Sequence, residues 1–152
     1  LLDAGALRLI TNKAFSKMKL HDQMVLTPHP GEAADMLKVS TQEIQKNRIE
    51  SAKKLQKKYK CIIVLKGQGT IICNKKEMYL CSSGGPELAV AGTGDILSGV
   101  IGSLIAQGLT PLDAAITGVG LHAQAGENFA TEVGRIGLAA SELIPQIREL
   151  LN

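Results

Sequence analysis

Apolar positions recur with two different periods along this chain. Met24-Val25-Leu26-Thr27 and Cys61-Ile62-Ile63-Val64-Leu65 are continuous runs that read as strands, the second β-branched enough to be covered on both faces. Ile71-Ile72-Cys73 and Met78 to Cys81, joined through the turn Asn74-Lys75-Lys76, read as partner strands. Elsewhere the period is helical. Ser40-Thr41-Gln42-Glu43 is a capping box that opens an amphipathic helix to about Tyr59, with Ile44, Ile49, Ala52 and Leu55 along one side. The segment from Gly94 to Gln107 is apolar nearly all round. It is expected to lie buried against a sheet, with Gly99 and Gly102 admitting close neighbours and Gly108 ending it. Thr110-Pro111-Leu112-Asp113 starts the next helix, to roughly Ala130, and Ser141 is the expected cap of a last one through Leu151. This alternation predicts one α/β unit around a largely parallel sheet.

Polar residues gather where the apolar runs stop. Leu1-Leu2 reads as a strand end with Asp3 at its carboxyl tip, where Asp3 either faces a site or caps the short helix that follows. Pro28-His29-Pro30-Gly31-Glu32 holds His29 extended between two prolines, and Gly31 is expected to free the turn into a helix from Glu32 to Leu37. Such a loop suits ligand contacts, although an ordinary strand-to-helix turn uses similar residues. Lys66-Gly67-Gln68-Gly69-Thr70 follows the buried strand and reads either as a phosphate loop or as a plain hairpin turn. His122, inside an apolar helical stretch, is a packing histidine or a ligand. Ser82 to Pro86 is a flexible approach to Ala91-Gly92-Thr93-Gly94-Asp95. There two glycines ahead of a helix bring backbone amides and the positive end of the macrodipole to a potential anion. Asp95 at that helix start could act as a base that activates a hydroxyl for phosphoryl transfer; the other reading is a cap with close packing.

Composition narrows the classes. Of 152 residues 45% are hydrophobic and 20% charged, the balance of a globular protein with one domain's core. The net charge of +3 comes mostly from a lysine-rich helix face, and with no Trp, two Phe and two Tyr there is little to stack bases on, so nucleic acid is not expected as a partner. Cys61, Cys73 and Cys81 have no ligand-spaced histidine and fit free thiols in a reducing, cytoplasmic setting. No apolar run is long enough to span a bilayer, so no membrane partner is expected either. Because the chain opens on a strand end, residues 1–152 are expected to be the C-terminal portion of a longer domain.

Thr27-Pro28-His29-Pro30-Gly31-Glu32, Leu65 to Thr70 and Ala91 to Gly99, in that order, resemble the ADP- or ATP-dependent NAD(P)H-hydrate dehydratases of the ribokinase-like superfamily. Asp3 to Leu7 is similar to that family's aspartate-rich segment, and Gly137 to Ser141 to its closing one. The resemblance implies a ribokinase-like three-layer sandwich. It also implies a repair reaction in which hydrated NADH or NADPH is phosphorylated on its hydroxyl and then loses phosphate. Asp95 would take the proton while the amides of Gly92, Thr93 and Gly94 stabilise the phosphoryl group. His29, Pro30, Gly31 and Glu32 would lie along the dinucleotide. Lys66, Gly67, Gln68, Gly69 and Thr70, with Gly85 and Ala91 to Gly94, would serve ADP or ATP. Mg2+ is expected with the nucleotide, its protein ligands unknown, and a homo-oligomer is implied. Gly85-Pro86-Glu87-Leu88 departs from the family, which often has asparagine before the proline and Gly-Met after it. The rival readings are a ribokinase-like kinase of vitamin-precursor alcohols and a non-catalytic nucleotide-binding module.

Overall fold

A computed structural model describes residues 1–12 and 19–152. They form two compact units, Leu1–Leu80 and Cys81–Asn152.

In the first unit, helix α1 spans Gly5–Thr11, and strand β1, Val25–Leu26, leads into helix α2, Pro30–Leu37. Helices α3, Thr41–Lys46, and α4, Arg48–Tyr59, precede strands β2, Ile62–Leu65, β3, Thr70–Cys73, and β4, Met78–Cys81, which ends at the boundary of the second unit. The sheet order is β1-β2-β3-β4. Leu2 pairs with Leu26 and β1 with β2 in parallel, whereas β2 and β3 are antiparallel with Leu65 opposite Ile71. The sheet is therefore mixed, because the four-residue connection from Lys66 to Gly69 is too short for a parallel crossover. Leu26, Ile63, Leu65, Ile71 and Cys73 pack with Leu7, Met36, Ile44, Leu55 and Tyr59 into one core. Burying each such aliphatic side chain stabilises by about 1.5–3 kcal/mol before chain entropy is counted. Val25, Ile62, Val64 and Ile72 alternate with that set and are buried too, as a strand apolar on both faces requires.

The Ser40 cap forms as expected, its Oγ accepting the Glu43 amide at 3.1 Å. The single helix to Tyr59 does not. Asn47, at φ −136° and ψ 55°, interrupts it and separates α3 from α4. Downstream of the break the inward stripe is Arg48, Ala52, Leu55 and Tyr59, at helical spacing, and Ile49 turns outward to 54% exposure.

The second unit holds a 3-10 turn over Pro86–Leu88, helix α5, Thr93–Ala106, helix α6, Pro111–Glu132, a 3-10 turn over Ala140–Glu142, and helix α7, Leu143–Leu150. Ala125, Phe129, Leu138, Leu143 and Ile147 make its core, with Leu88, Ile96, Val100 and Leu121 against them. The Thr110 cap of α6 is as read, accepting the Asp113 amide at 3.2 Å. Close helix approach does not use Gly99 or Gly102, where an added Cβ would meet nothing within 4 Å among the described residues. It uses Gly118, where a Cβ would lie 2.7 Å from the Ile101 side chain. Ser141 caps no helix. It sits inside the 3-10 turn, and the Glu142 carboxylate takes the Ala139 amide at 2.7 Å instead.

Candidate functional site

The carboxyl ends of Leu2, β1 and β2 lie side by side in the first unit, and the chain leaves that edge through Asp3, through Thr27-Pro28-His29 and through Lys66. Backbone pairing continues past the strands. Thr27 N–H donates to the Leu2 carbonyl at 3.2 Å and Lys66 N–H to the Pro28 carbonyl at 2.9 Å. Lys66 Nζ then reaches Asp3 Oδ1 at 3.0 Å, both side chains largely buried. Asp3 thus braces the edge: its Oδ1 also accepts the Ala4 amide at 2.8 Å, and Ala4 stands at the helix cap without a side-chain bond. Ala4 is held at φ 47° and ψ −121°, a region open mainly to glycine. Ala4→Gly is expected to raise stability by about 1 kcal/mol, read from urea denaturation; a lower stability would show that the residue is unstrained.

His29 is the N-cap of α2. Its Nδ1 accepts the amides of Gly31 at 3.0 Å and Glu32 at 3.2 Å, while its own amide donates to Glu32 Oε2 at 2.8 Å. This reciprocal cap starts the helix at Pro30, ahead of the expected Glu32. Gly31 accordingly has no special turn to make. It is needed because a Cβ there would sit 2.9 Å from the His29 ring. An accepting Nδ1 leaves the ring proton on Nε2, at the outer edge of a side chain 55% exposed, 3.6 Å from Glu32 Oε2. Glu32 and Gly31 support the cap, and His29 Nε2 lies on the exposed edge of the ring beside Glu32. Gly31→Ala is expected to push the ring off its cap and destabilise by about 1 kcal/mol in thermal or urea unfolding; an unchanged midpoint would refute the cap.

The Lys66–Thr70 loop carries a feature the sequence reading missed. From the first turn of α4, the Arg48 guanidinium donates to the carbonyls of Leu65 at 3.2 Å, Lys66 at 3.3 Å and Gly69 at 3.0 Å, and to Gln45 Oε1 at 3.1 Å. Partial burial lowers its pKa from the ordinary arginine value. The available signal was a cation on the apolar stripe of a helix, which needs carbonyl or carboxylate partners. Thr70 Oγ1 closes the loop on the Gly67 carbonyl at 3.1 Å.

In the second unit, Gly92 at φ 91° delivers the chain into α5. Among the described residues nothing accepts from the amides of Gly92, Gly94 and Asp95, so the helix start keeps open donors, and Asp95 is exposed in its first turn. Thr93 faces inward. Its Oγ1 donates to the carbonyls of Leu88 at 2.8 Å and Val90 at 2.9 Å, and its carbonyl bonds His122 Nε2 at 2.9 Å. His122 is therefore a buried residue that secures the turn. The approach to it is anchored rather than loose: Gly84 N–H donates to Glu127 Oε1 at 2.9 Å, and Gly85 N–H to the buried Glu87 at 2.6 Å. These residues, with Ala130, Thr131 and Arg135, line a cavity of about 380 Å³; Gly85 is thus at a cavity wall, and Gly92 to Asp95 are not among its lining.

A parallel strand edge with polar residues at its carboxyl ends, and a glycine turn opening a helix with an aspartate in its first turn, belong to an α/β fold that this chain shares with known proteins. A ribokinase-like superfamily protein of Enterococcus faecalis shares the fold at a TM-score of 0.83 with 24% identity, over 98% of this chain and 51% of that one. The chain belongs to the NAD(P)H-hydrate dehydratase family, whose sequence profile matches residues 1–149. The bifunctional NAD(P)H-hydrate repair enzyme Nnr of Coxiella burnetii is 42% identical over 152 residues, 99% of this chain and 30% of its own length. An ADP/ATP-dependent NAD(P)H-hydrate dehydratase of Bacillus subtilis, co-crystallized with ATP/Mg2+, superposes at a TM-score of 0.89 with 34% identity, over 99% of this chain and 53% of that one. This chain therefore spans about a third to a half of the length of the relatives it resembles.

Proposed function

We propose that the protein dehydrates hydrated NADH and NADPH at the expense of ADP or ATP, with residues 1–152 as the C-terminal portion of the catalytic domain. The observation that carries this is the start of α5, open backbone donors beside an exposed Asp95, in a chain of this family. Asp95 takes the proton of the hydrate's hydroxyl as that oxygen attacks the terminal phosphorus of the nucleotide. The new O–P bond forms as the bond from that phosphorus to the bridging oxygen breaks, releasing AMP from ADP or ADP from ATP. The amides of Gly92 and Gly94 stabilise charge on the transferring group, and Thr93 holds their turn. Loss of a ring proton with departure of inorganic phosphate then restores the nicotinamide double bond.

His29 Nε2 and Pro30 are assigned to the hydrated dinucleotide, with Gly31 and Glu32 shaping the cap beneath them. Lys66 to Thr70, and separately Gly85 and Ala91 to Gly94, are assigned to the nucleotide. Lys66 meets phosphate only by sharing or leaving Asp3. Among the described residues no three Asp, Glu, His or Cys side chains cluster as a cation cage. A magnesium ion carried on nucleotide phosphates needs at most one or two protein carboxylates, so the residues fit an ion that arrives with the nucleotide, Asp95 being the carboxylate nearest the open amides in sequence. When bound it would neutralise phosphate charge. A cytoplasmic homo-oligomer belongs to the same reading, supported by the free thiols and by exposed Val133 and Ile136. No helix among the described residues is long and apolar enough to cross a membrane.

The test is recovery of reduced-nicotinamide absorbance from hydrated NADH and NADPH, with ADP and ATP in parallel, using the native protein. Nucleotide-dependent recovery with release of inorganic phosphate is expected. A stable phosphorylated alcohol formed from a vitamin precursor, without recovery, would overturn the reading in favour of a small-molecule kinase. Nucleotide binding with no chemistry on either substrate would leave a binding module.

A further inference from the structure

We infer that Arg48 is a positioning residue for nucleotide binding: it draws the carbonyls of the Lys66–Thr70 loop to the back of the loop, so that the Gly67 amide is presented to nucleotide phosphate. The inference rests on the nucleotide-dependent reading above.

The carbonyl oxygen of Leu65, at the end of β2, and those of Lys66 and Gly69 in the loop converge on one guanidinium, and Gln45 Oε1 fixes the orientation of that fork. No peptide bond here is cis, so each N–H points opposite to the carbonyl of its own peptide unit. Turning the Lys66 carbonyl onto Arg48 therefore turns the Gly67 amide to the other side. The preceding unit obeys the same rule: the Leu65 carbonyl faces Arg48, and the Lys66 amide faces away, onto the Pro28 carbonyl. Gly67 and Gln68 are exposed, and among the described residues nothing accepts from the amides of Gly67, Gln68 and Gly69. Exposed, unengaged amides on a loop held from behind are donors that a phosphate can engage.

Gly67 leaves room for the Arg48 guanidinium. Gly67 has φ 129°, and a Cβ on it would lie 2.8 Å from Arg48 Nη1. The break at Asn47 makes Arg48 the first residue of α4, at the end of the stripe nearest the loop. Arg48 Nη2 meets all three carbonyls while Nη1 holds Gln45 and shares the Lys66 carbonyl, whereas a lysine has no second nitrogen to keep its head oriented at that point.

Arg48→Ala and Arg48→Lys in the native protein test this, with ADP and ATP affinity by calorimetry and steady-state constants for nucleotide and hydrate, with and without dilute guanidinium. In Arg48→Ala the nucleotide Kd and KM are expected to rise about 10–100-fold, the scale of lost charged hydrogen bonds. The hydrate KM, and kcat at saturating nucleotide, should stay within about twofold of native, since Arg48 is not assigned to the reacting groups. Guanidinium should restore part of the nucleotide affinity in Arg48→Ala and none in native protein, and Arg48→Lys should recover little. Native nucleotide affinity in a folded Arg48→Ala variant, or equal losses for hydrate and nucleotide without rescue, would overturn the inference. If Arg48→Ala melts without cooperativity, Gly67→Ala carries the test: a nucleotide-specific loss supports the inference and unchanged affinity overturns it. Native protein that binds nucleotide but does not dehydrate the hydrates would overturn the dehydratase reading while the Kd values still decide the role of Arg48. Native protein that binds neither nucleotide would overturn both.

Discussion

Turnover of hydrated NADH by the Asp95→Asn variant is expected to fall about 10²–10⁴-fold, the usual contribution of a positioned general base, with ADP affinity unchanged or slightly improved. Asparagine keeps the size of the side chain and suits the first turn of a helix, and Asp95 is exposed, so the fold has little reason to respond. On the proposed reading, what disappears is the acceptor for the hydroxyl proton. The open amides at the start of α5 remain, so phosphate binding should survive, and removing a carboxylate beside a phosphate site takes away a repulsion. The measurement is kcat from the recovery of reduced-nicotinamide absorbance, beside ADP binding by calorimetry. A variant that keeps native turnover would remove Asp95 from the mechanism. One that loses ADP binding and turnover together would make it a binding residue.

Between pH 9 and pH 11 the protein is expected to lose roughly 2 kcal/mol of stability for each of Cys61 and Cys73. Burial pushes each thiol from 9.0 up to about 11. Cys61 is 1% exposed with Sγ donating to the Tyr59 carbonyl at 3.2 Å, and Cys73 is 1% exposed with Sγ 3.6 Å from the Ala52 carbonyl. As pH rises through this window the unfolded chain has released those protons and the folded chain still holds them, so stability is intact below pH 9 and declines towards pH 11. The check is urea denaturation across the window for native protein and the Cys61→Ala, Cys73→Ala double variant. Tyr59, which burial also raises, and the lysines are common to both proteins and largely cancel. A flatter curve for the variant is expected, and parallel curves would show that these thiols titrate as freely in the fold as out of it.

The local structure of the candidate site was legible where its signals are local. The glycine turn before α5, the aspartate in its first turn and the proline-bracketed histidine are specified by neighbours a few residues apart, through backbone freedom and helix-end donors. The roles of Lys66, Gly31 and Thr93 were less legible. Each looked like a ligand residue in the sequence, and each is engaged in the fold: with Asp3 across the strand edge, beneath the His29 ring, and with the Leu88 and Val90 carbonyls. The break at Asn47 was hidden because α3 and α4 continue the same apolar period, and nothing near it in sequence shows that Arg48 has a loop to meet.

The sequence by itself determined the strand runs, the caps at Ser40 and Thr110, and the positions of the polar loops, since periodicity, capping chemistry and chain stiffness act over one or two turns. Tertiary structure alone decided the pairing of Asp3 with Lys66 and of Arg48 with the loop carbonyls, and the choice of Gly118 as a packing contact. Those depend on which atoms meet across tens of residues. There a buried charge must find its partner and a Cβ either fits or does not.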